Sequence, residues 1–288
     1  MKRREFLELA VLGGASLALA ELLPRALRDE KSGVASLGAV PGPAARRAWA
    51  RRFIGGSGTL YDVVSEGNRV ELRAPDGTER GLLRGELNAP VSLAESTDGS
   101  LRVLEWGADR VRTYAADGSL GLAFGSTGSG AAELRGPRDL AERADRLVVA
   151  DTFNHRVQLF DRDGRPQARF GSLGKGAAEL NAPSSLAFAP DGLLHVADLG
   201  NARIQVFSAD GRPQASYGGW GAEEGRLRAP SCIRFDAAGR AWIADPVGGH
   251  VHVFDAAGRF VERHRPQGGA PAWLAFFPDG RAHISLHS

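Results

Sequence analysis

The chain has 288 residues, with 36 Lys plus Arg against 34 Asp plus Glu, a formal charge of +2, and a single cysteine. That near balance leaves no clustered basic footprint of the kind nucleic acid selects, and a lone Cys232 excludes an intrachain disulfide and a cysteine zinc site. The length allows one large all-β domain or two small ones, with enough chain to bury a sizeable core.

The first twenty residues, MKRREFLELAVLGGASLALA, read as an address. A basic start precedes a short apolar run softened by Gly13, Gly14, Ala15 and Ser16, and Ala18-Leu19-Ala20 fits a small-x-small cleavage site. The run is too short for a comfortable membrane span. Arg3-Arg4-Glu5-Phe6-Leu7 resembles the twin-arginine export signal, from which it departs at Lys2 and Glu8. That resemblance implies a periplasmic or secreted protein without stable membrane insertion after cleavage; an ordinary secretory signal or an uncleaved anchor is the other reading. Residues 1–20 are thus expected to be the signal and 21–46, rich in Pro, Ala and Arg, a linker. The folded domain is expected over 47–288.

Within that domain the chain repeats itself. VVADTFNHRVQLFDRDGRPQARFG (148–171) is followed by HVADLGNARIQVFSADGRPQASYG (195–218), offset by the 47 residues between Asp151 and Asp198, and by a looser copy, WIADPVGGHVHVFDAAGRFVERH (242–264). A repeat of this period is one supersecondary unit stacked several times. In the best copy, Asn181-Ala182-Pro183 opens the unit, SSLAFAP and LLHVAD flank the turn at Asp191-Gly192, and ARIQVFS and PQASYG flank Asp210-Gly211. Asp-Gly between apolar runs is a strong hairpin signal, because glycine reaches the positive φ of a tight turn. Each unit therefore predicts four antiparallel strands. Strands such as RVQLF and RIQVF are apolar on both faces and need sheets on either side, which a radial array of blades, a β-propeller, supplies.

The pattern P-x-x-L-A, then DG-x-L-x-V-A-D-x-x-N-x-R-[VI]-Q-x-F-x-x-DG, resembles the NHL repeat. The match is strong over 137–171 and 183–218, recognisable over 90–125 and 230–264, and weak at both ends. The turns allow five or six blades. Six is favoured, with AWARRF (48–53) as a degenerate first strand, TLYDVV (59–64) as a second, and GVASLGAV (33–40) as an outer strand. In the five-blade count, NRVELRAPDGTERGLL (68–83) instead completes the last blade.

Loops from fourth to first strand and from second to third strand emerge on one face of a propeller. Here the first set is long and glycine-rich, as in GSLGKGAAELNAP, and long loops on a rigid scaffold carry binding residues. The recurring Asp of V-A-D and the Arg that follows it are expected to serve the scaffold, through carboxylate bonds to turn N–H groups and to arginine. The candidate binding set joins Trp106, Phe153, His155, Trp220 and His250, loop residues without a consistent counterpart between copies, with Asn201 of the same loops and with Arg138 and Asp139, which follow a unit-opening proline. His250 and His252 share one face of a strand and form a candidate pair of metal ligands, without an evident third; packing is the plainer reading. Cys232 is expected to be a small buried hydrophobe.

The NHL resemblance also brings in the lyase that cleaves peptidyl-hydroxyglycine, whose propeller holds zinc with three histidines near the unit-opening prolines. The comparable positions here are Val91-Ser92, Arg138-Asp139, Ser184-Ser185, Ser231-Cys232 and Ala272-Trp273, with no histidine. The expected function is a non-catalytic binding scaffold for a protein, peptide or glycan in the cell envelope, with no nucleic-acid partner and no cofactor. The alternative is a metal-dependent lyase or lactonase-like hydrolase, on zinc or calcium, with its site at the channel mouth.

Overall fold

A computed structural model describes residues 50–287, apart from Arg84 and Asp145. The expected signal and linker, and GVASLGAV, lie outside the described residues. Those residues fold as an all-β propeller with five four-stranded antiparallel blades. Blade 1 comprises β1 (Ala50–Ile54), β2 (Leu60–Val64), β3 (Arg69–Arg73) and β4 (Glu79–Leu82). Blade 2 comprises β5 (Pro90–Glu95), β6 (Leu101–Glu105), β7 (Arg110–Tyr114) and β8 (Leu120–Phe124). Two short strands, β9 (Ser126–Thr127) and β10 (Glu133–Leu134), pair in parallel within the next loop. Blade 3 is β11 (Asp139–Arg143), β12 (Arg146–Asp151), β13 (Arg156–Phe160) and β14 (Pro166–Phe170). Blade 4 is β15 (Pro183–Phe188), β16 (Leu194–Asp198), β17 (Arg203–Phe207) and β18 (Pro213–Gly218). Blade 5 is β19 (Cys232–Phe235), β20 (Ala241–Asp245), β21 (His250–Phe254) and β22 (Phe260–His264).

A two-stranded sheet, β23 (Ala270–Phe276) and β24 (Ala282–His287), packs between blade 5 and blade 1 and closes the ring. The favoured count of six therefore becomes five complete blades, because only one hairpin of described chain remains for the sixth place. The five-blade arrangement is not the one the turns suggested either. Residues 68–83 stay with β1 and β2 instead of completing the C-terminal sheet, and β1 takes in the last four residues of AWARRF, 50–53. Closure is apolar: Phe53 meets Trp273 with ring centroids 5.0 Å apart, and Trp242 meets Phe276 at 5.5 Å. One buried cluster runs across blades 1, 2 and 5 and the closing sheet, through Val63, Leu93, Val253 and Leu274. Burying both faces of each sheet in this way removes from water the apolar area that drives the fold.

The scaffold reading of the repeated polar residues holds in detail. Asp198, fully buried, accepts from the Asn181 N–H at 2.7 Å, Asn201 Nδ2 at 2.8 Å and Arg203 Nε at 2.8 Å. The Arg203 guanidinium then donates to the carbonyls of Gly176 and Glu179. Asp151, Asn154 and Arg156 repeat the clamp in blade 3. Burial holds both carboxylates above the usual range, while the donors around them pull the other way. Each clamp ties a strand end to the loop arriving from the preceding blade, so one ion pair fixes three segments.

Candidate functional site

Strand register defines what lines the axis. Arg51, Ser92, Asp139, Ser185, Cys232 and Trp273 each lie opposite the equivalent residue of the neighbouring second strand, and so form one layer around the channel. Two residues further along each inner strand, on the same side, stand Phe53, Ala94, Ala141, Ala187, Arg234 and Ala275. The first layer is polar and closed by cross-links, whereas the second contains four alanines.

Asp139 organises the first layer. It is fully buried and accepts from Ser92 Oγ at 2.7 Å in blade 2, from Ser185 Oγ at 2.6 Å and the Leu186 N–H at 3.1 Å in blade 4, and from the Leu140 N–H at 3.0 Å. Arg234 reaches across from blade 5 and places Nη1 at 3.1 Å and Nη2 at 3.3 Å from its two oxygens. From blade 1, Arg51 donates to the carbonyls of Val91 and Arg138, both at 2.9 Å. Trp273 carries the two guanidiniums on its ring, Arg51 at 4.6 Å and Arg234 at 4.3 Å from the centroid, a cation–π arrangement that holds desolvated positive charge. Burial, and then the neighbouring Arg51 charge, bring Arg138 down to about 10, which leaves it protonated at neutral pH. The Cys232 thiol is fully buried and pushed up by that burial, in line with a small core residue.

A cavity of about 190 Å³ opens beside Ala94 and Ala275 at the channel mouth, on the face that carries the turns between first and second strands. Phe53, Leu93, Leu274 and Phe276 form its apolar wall, Arg234 lines it from across the channel, and Glu95 stands with Gly55 and Gly56 at the β1–β2 turn. Glu95 accepts from Tyr61 Oη and from the Gly56 N–H, both at 2.8 Å. A Cβ at Gly55 would come within 2.1 Å of Glu95 Oε2, so glycine is what permits that approach. Burial and the Glu95 contact raise the Tyr61 hydroxyl well above its ordinary range, keeping it a donor.

The eight residues singled out from sequence divide between these places. Arg138 and Asp139 belong to the channel. The other six come from loops of blades 2 to 5 on the opposite face, and several are turned to structural tasks. Asn201 is 9% exposed and donates to Gly174 O and Asp198. His155 sits at a positive φ of 54° and accepts from the Ala182 N–H at 3.0 Å. Phe153 lies against Gly136. His250 Nδ1 lies 2.5 Å from Gly248 O, so that nitrogen carries the proton. Trp106 is half-buried at the start of the turn after β6. Trp220 pairs with Leu227 as Leu173 pairs with Leu180, so its backbone place repeats although its half-exposed indole does not. Sequence reasoning missed Arg51, Glu95, Arg234 and Trp273 as site residues. Among the described residues no three His, Cys, Asp or Glu side chains gather in a metal-binding group.

No family model and no curated protein matches the chain. Solved structures do. A streptogramin B lyase is 17% identical, with a TM-score of 0.62 over 82% of this chain and 75% of that one. Virginiamycin B lyase from Staphylococcus aureus is 14% identical, with a TM-score of 0.64 over 84% and 78%. A gluconolactonase from Xanthomonas campestris is 22% identical, with a TM-score of 0.64 over 83% and 84%. At these identities the likeness is one of fold: the chain shares the propeller of those lyases and that lactonase.

Proposed function

We propose that the chain is an exported, non-catalytic propeller that serves as a binding scaffold in the cell envelope for a protein, peptide or glycan. The observation that carries this reading is the state of Asp139. A channel carboxylate that ligates a metal or takes a proton needs free lone pairs, and Asp139 spends both oxygens on Ser92, Ser185, two backbone N–H groups and Arg234. A carboxylate so bonded is a structural anion. The cavity beside it offers instead an apolar wall with a few convergent polar groups, the usual form of a ligand pocket.

The second reading, a metal-dependent lyase or lactonase-like hydrolase, draws support from the lyase and lactonase folds to which the chain is similar. Metal analysis of the purified full chain, paired with turnover of a simple sugar lactone and of virginiamycin B, separates the two. Sub-stoichiometric zinc and calcium with no turnover is the expected result. Stoichiometric metal accompanied by hydrolysis or ring opening would overturn the scaffold reading.

A further inference from the structure

The proposed binding role leaves the chemistry of the ligand open, and the cavity at the channel mouth narrows it. Arg234 presents five N–H donors. Its end-on pair faces Asp139, with Nη1 also meeting Ser185 Oγ at 3.2 Å and the carbonyls of Ile233 at 2.7 Å and Leu186 at 3.4 Å. Its side-on edge, Nε–H with the remaining Nη2–H, donates to no acceptor among the described residues, and the side chain lines the cavity. That edge has the geometry of a bidentate carboxylate contact.

Charge points the same way. Arg234 pairs with Asp139, Arg51 lies on the same Trp273 ring and donates to two carbonyls, and Arg138 adjoins Arg51, so three cations stand around that one channel carboxylate. Glu95 supplies a second anion, whose oxygens Tyr61 and Gly56 hold at the β1–β2 turn without cancelling its charge, so a single positive charge remains in surplus. In a poorly solvated site that surplus acts strongly. The remaining wall, with Phe53, Leu93, Leu274 and Phe276, is apolar.

We propose that this cavity is a carboxylate site, taking a monoanionic acid with an aromatic or aliphatic body, its carboxylate on the side-on edge of Arg234 and its body against Phe53 and Phe276. The cavity's size suits an arylalkanoate, or the last side chain and free terminus of a peptide whose preceding residues pass out beyond Glu95. This rests on the binding reading above and specifies its ligand.

Calorimetric titration of the full chain tests it with four probes: phenylpropionate, its neutral amide, N-acetyl-glycyl-phenylalanine with a free carboxyl, and inorganic phosphate. Saturable binding of phenylpropionate is expected, with the amide weaker by about tenfold or more. Binding of the acetylated peptide at least as tight as phenylpropionate assigns the site to a peptide terminus, and weaker binding assigns it to a free acid. Ala94→Leu, which fills the cavity while removing no hydrogen bond, should weaken phenylpropionate by about tenfold or more. Arg234→Gln is the direct variant but also strips Asp139 of a partner, so Ala94→Leu decides if that protein fails to fold. Equal binding of acid and amide, tighter binding of phosphate, no saturation, or indifference to Ala94→Leu would each overturn the carboxylate site. None of these results requires metal or turnover, so the scaffold reading can fail or survive separately.

Discussion

Blades 4 and 5 occupy neighbouring places in the ring and differ at corresponding positions. In blade 4, Asp198 is held by Asn201, Arg203 and, more loosely, Gln205. In blade 5, Gly248, His250 and His252 stand where those three stand. Asp245 takes three backbone donors, the N–H groups of Arg228 at 2.8 Å and of Ala229 and Gly248 at 3.0 Å, where Asp198 takes the Asn181 N–H and the Ala182 N–H goes to His155. Asp245 has lost the arginine, and His252 Nε2 lies 3.9 Å away. One blade thus holds its carboxylate mainly by side chains in an ion pair, and the other mainly by backbone N–H groups beside neutral imidazoles. Where the asparagine and arginine are lost, backbone N–H groups take up the carboxylate in their place.

The largest test of that distinction removes each carboxylate. Asp198→Ala leaves the mostly buried guanidinium of Arg203 without its anion, and should cost about 4 kcal/mol, as breaking a buried ion pair does. Asp245→Ala forfeits hydrogen bonds and strands no cation, so about 2 kcal/mol is expected. Denaturant unfolding of the two variants measures both; equal costs would break the comparison.

A second test uses pH. His252 is 3% exposed, and burial brings its imidazole down to about 4, with Asp245 opposing the shift and His250 and Arg263 adding to it. Because the folded state holds the proton less readily than the unfolded chain, the neutral imidazole contributes stability that is complete above the unfolded value of about 6.5 and is lost as pH falls toward 4. The loss at pH 5 relative to pH 7 is about 2 kcal/mol for such a group. His195, beside Tyr217 in blade 4, and His283 on β24 are also brought down to about 4 by burial and add to the acid sensitivity. His252→Gln, which copies blade 4, should leave stability at pH 7 nearly unchanged and remove its own share of the decline. Parallel unfolding curves at pH 7 and pH 5 decide it: an undiminished decline in the variant would place the titrating group elsewhere.

The repeated features were the ones the sequence displayed. Asp-Gly turns, the V-A-D strand ends and the arginine five residues on each appear in consecutive copies, and they assigned the strands and the clamps together. Blade 1 was harder because β1 has no opening proline and carries Arg51 and Arg52 on a strand that is elsewhere mostly apolar. Arg51 therefore stood in what reads as a degenerate first strand, with nothing to mark it as a channel residue. The cavity was invisible for a different reason. Ala94 and Ala275 are each ordinary alone, and space appears only when the inner strands that carry them are set on either side of β1. Arg234 follows Ile233 in what reads as an unremarkable strand, and its meeting with Asp139 spans three blades. Aligning every unit two residues past its first channel position would have exposed one arginine and one phenylalanine among four alanines.

The smallest predicted effect restores the missing cation to blade 5. His250 corresponds to Arg203, which reaches both its aspartate and the carbonyls of the incoming loop. The loop ahead of blade 5 has the same parallel bridge, Trp220 with Leu227 in place of Leu173 with Leu180, and places the carbonyls of Glu223 and Arg226 in the corresponding positions. The Arg226 N–H donates to Glu223 O at 3.0 Å, closer than the 3.3 Å from the Glu179 N–H to Gly176 O, so more of that acceptor capacity is spent. His250→Arg should therefore stabilise the fold by no more than about 1 kcal/mol, the value of a partly exposed ion pair, and the gain should shrink in high salt. A gain near the cost of Asp198→Ala would show that blade 5 has the complete clamp geometry and lacks only charge. A loss would show that the loop ahead of blade 5 has adapted to the imidazole.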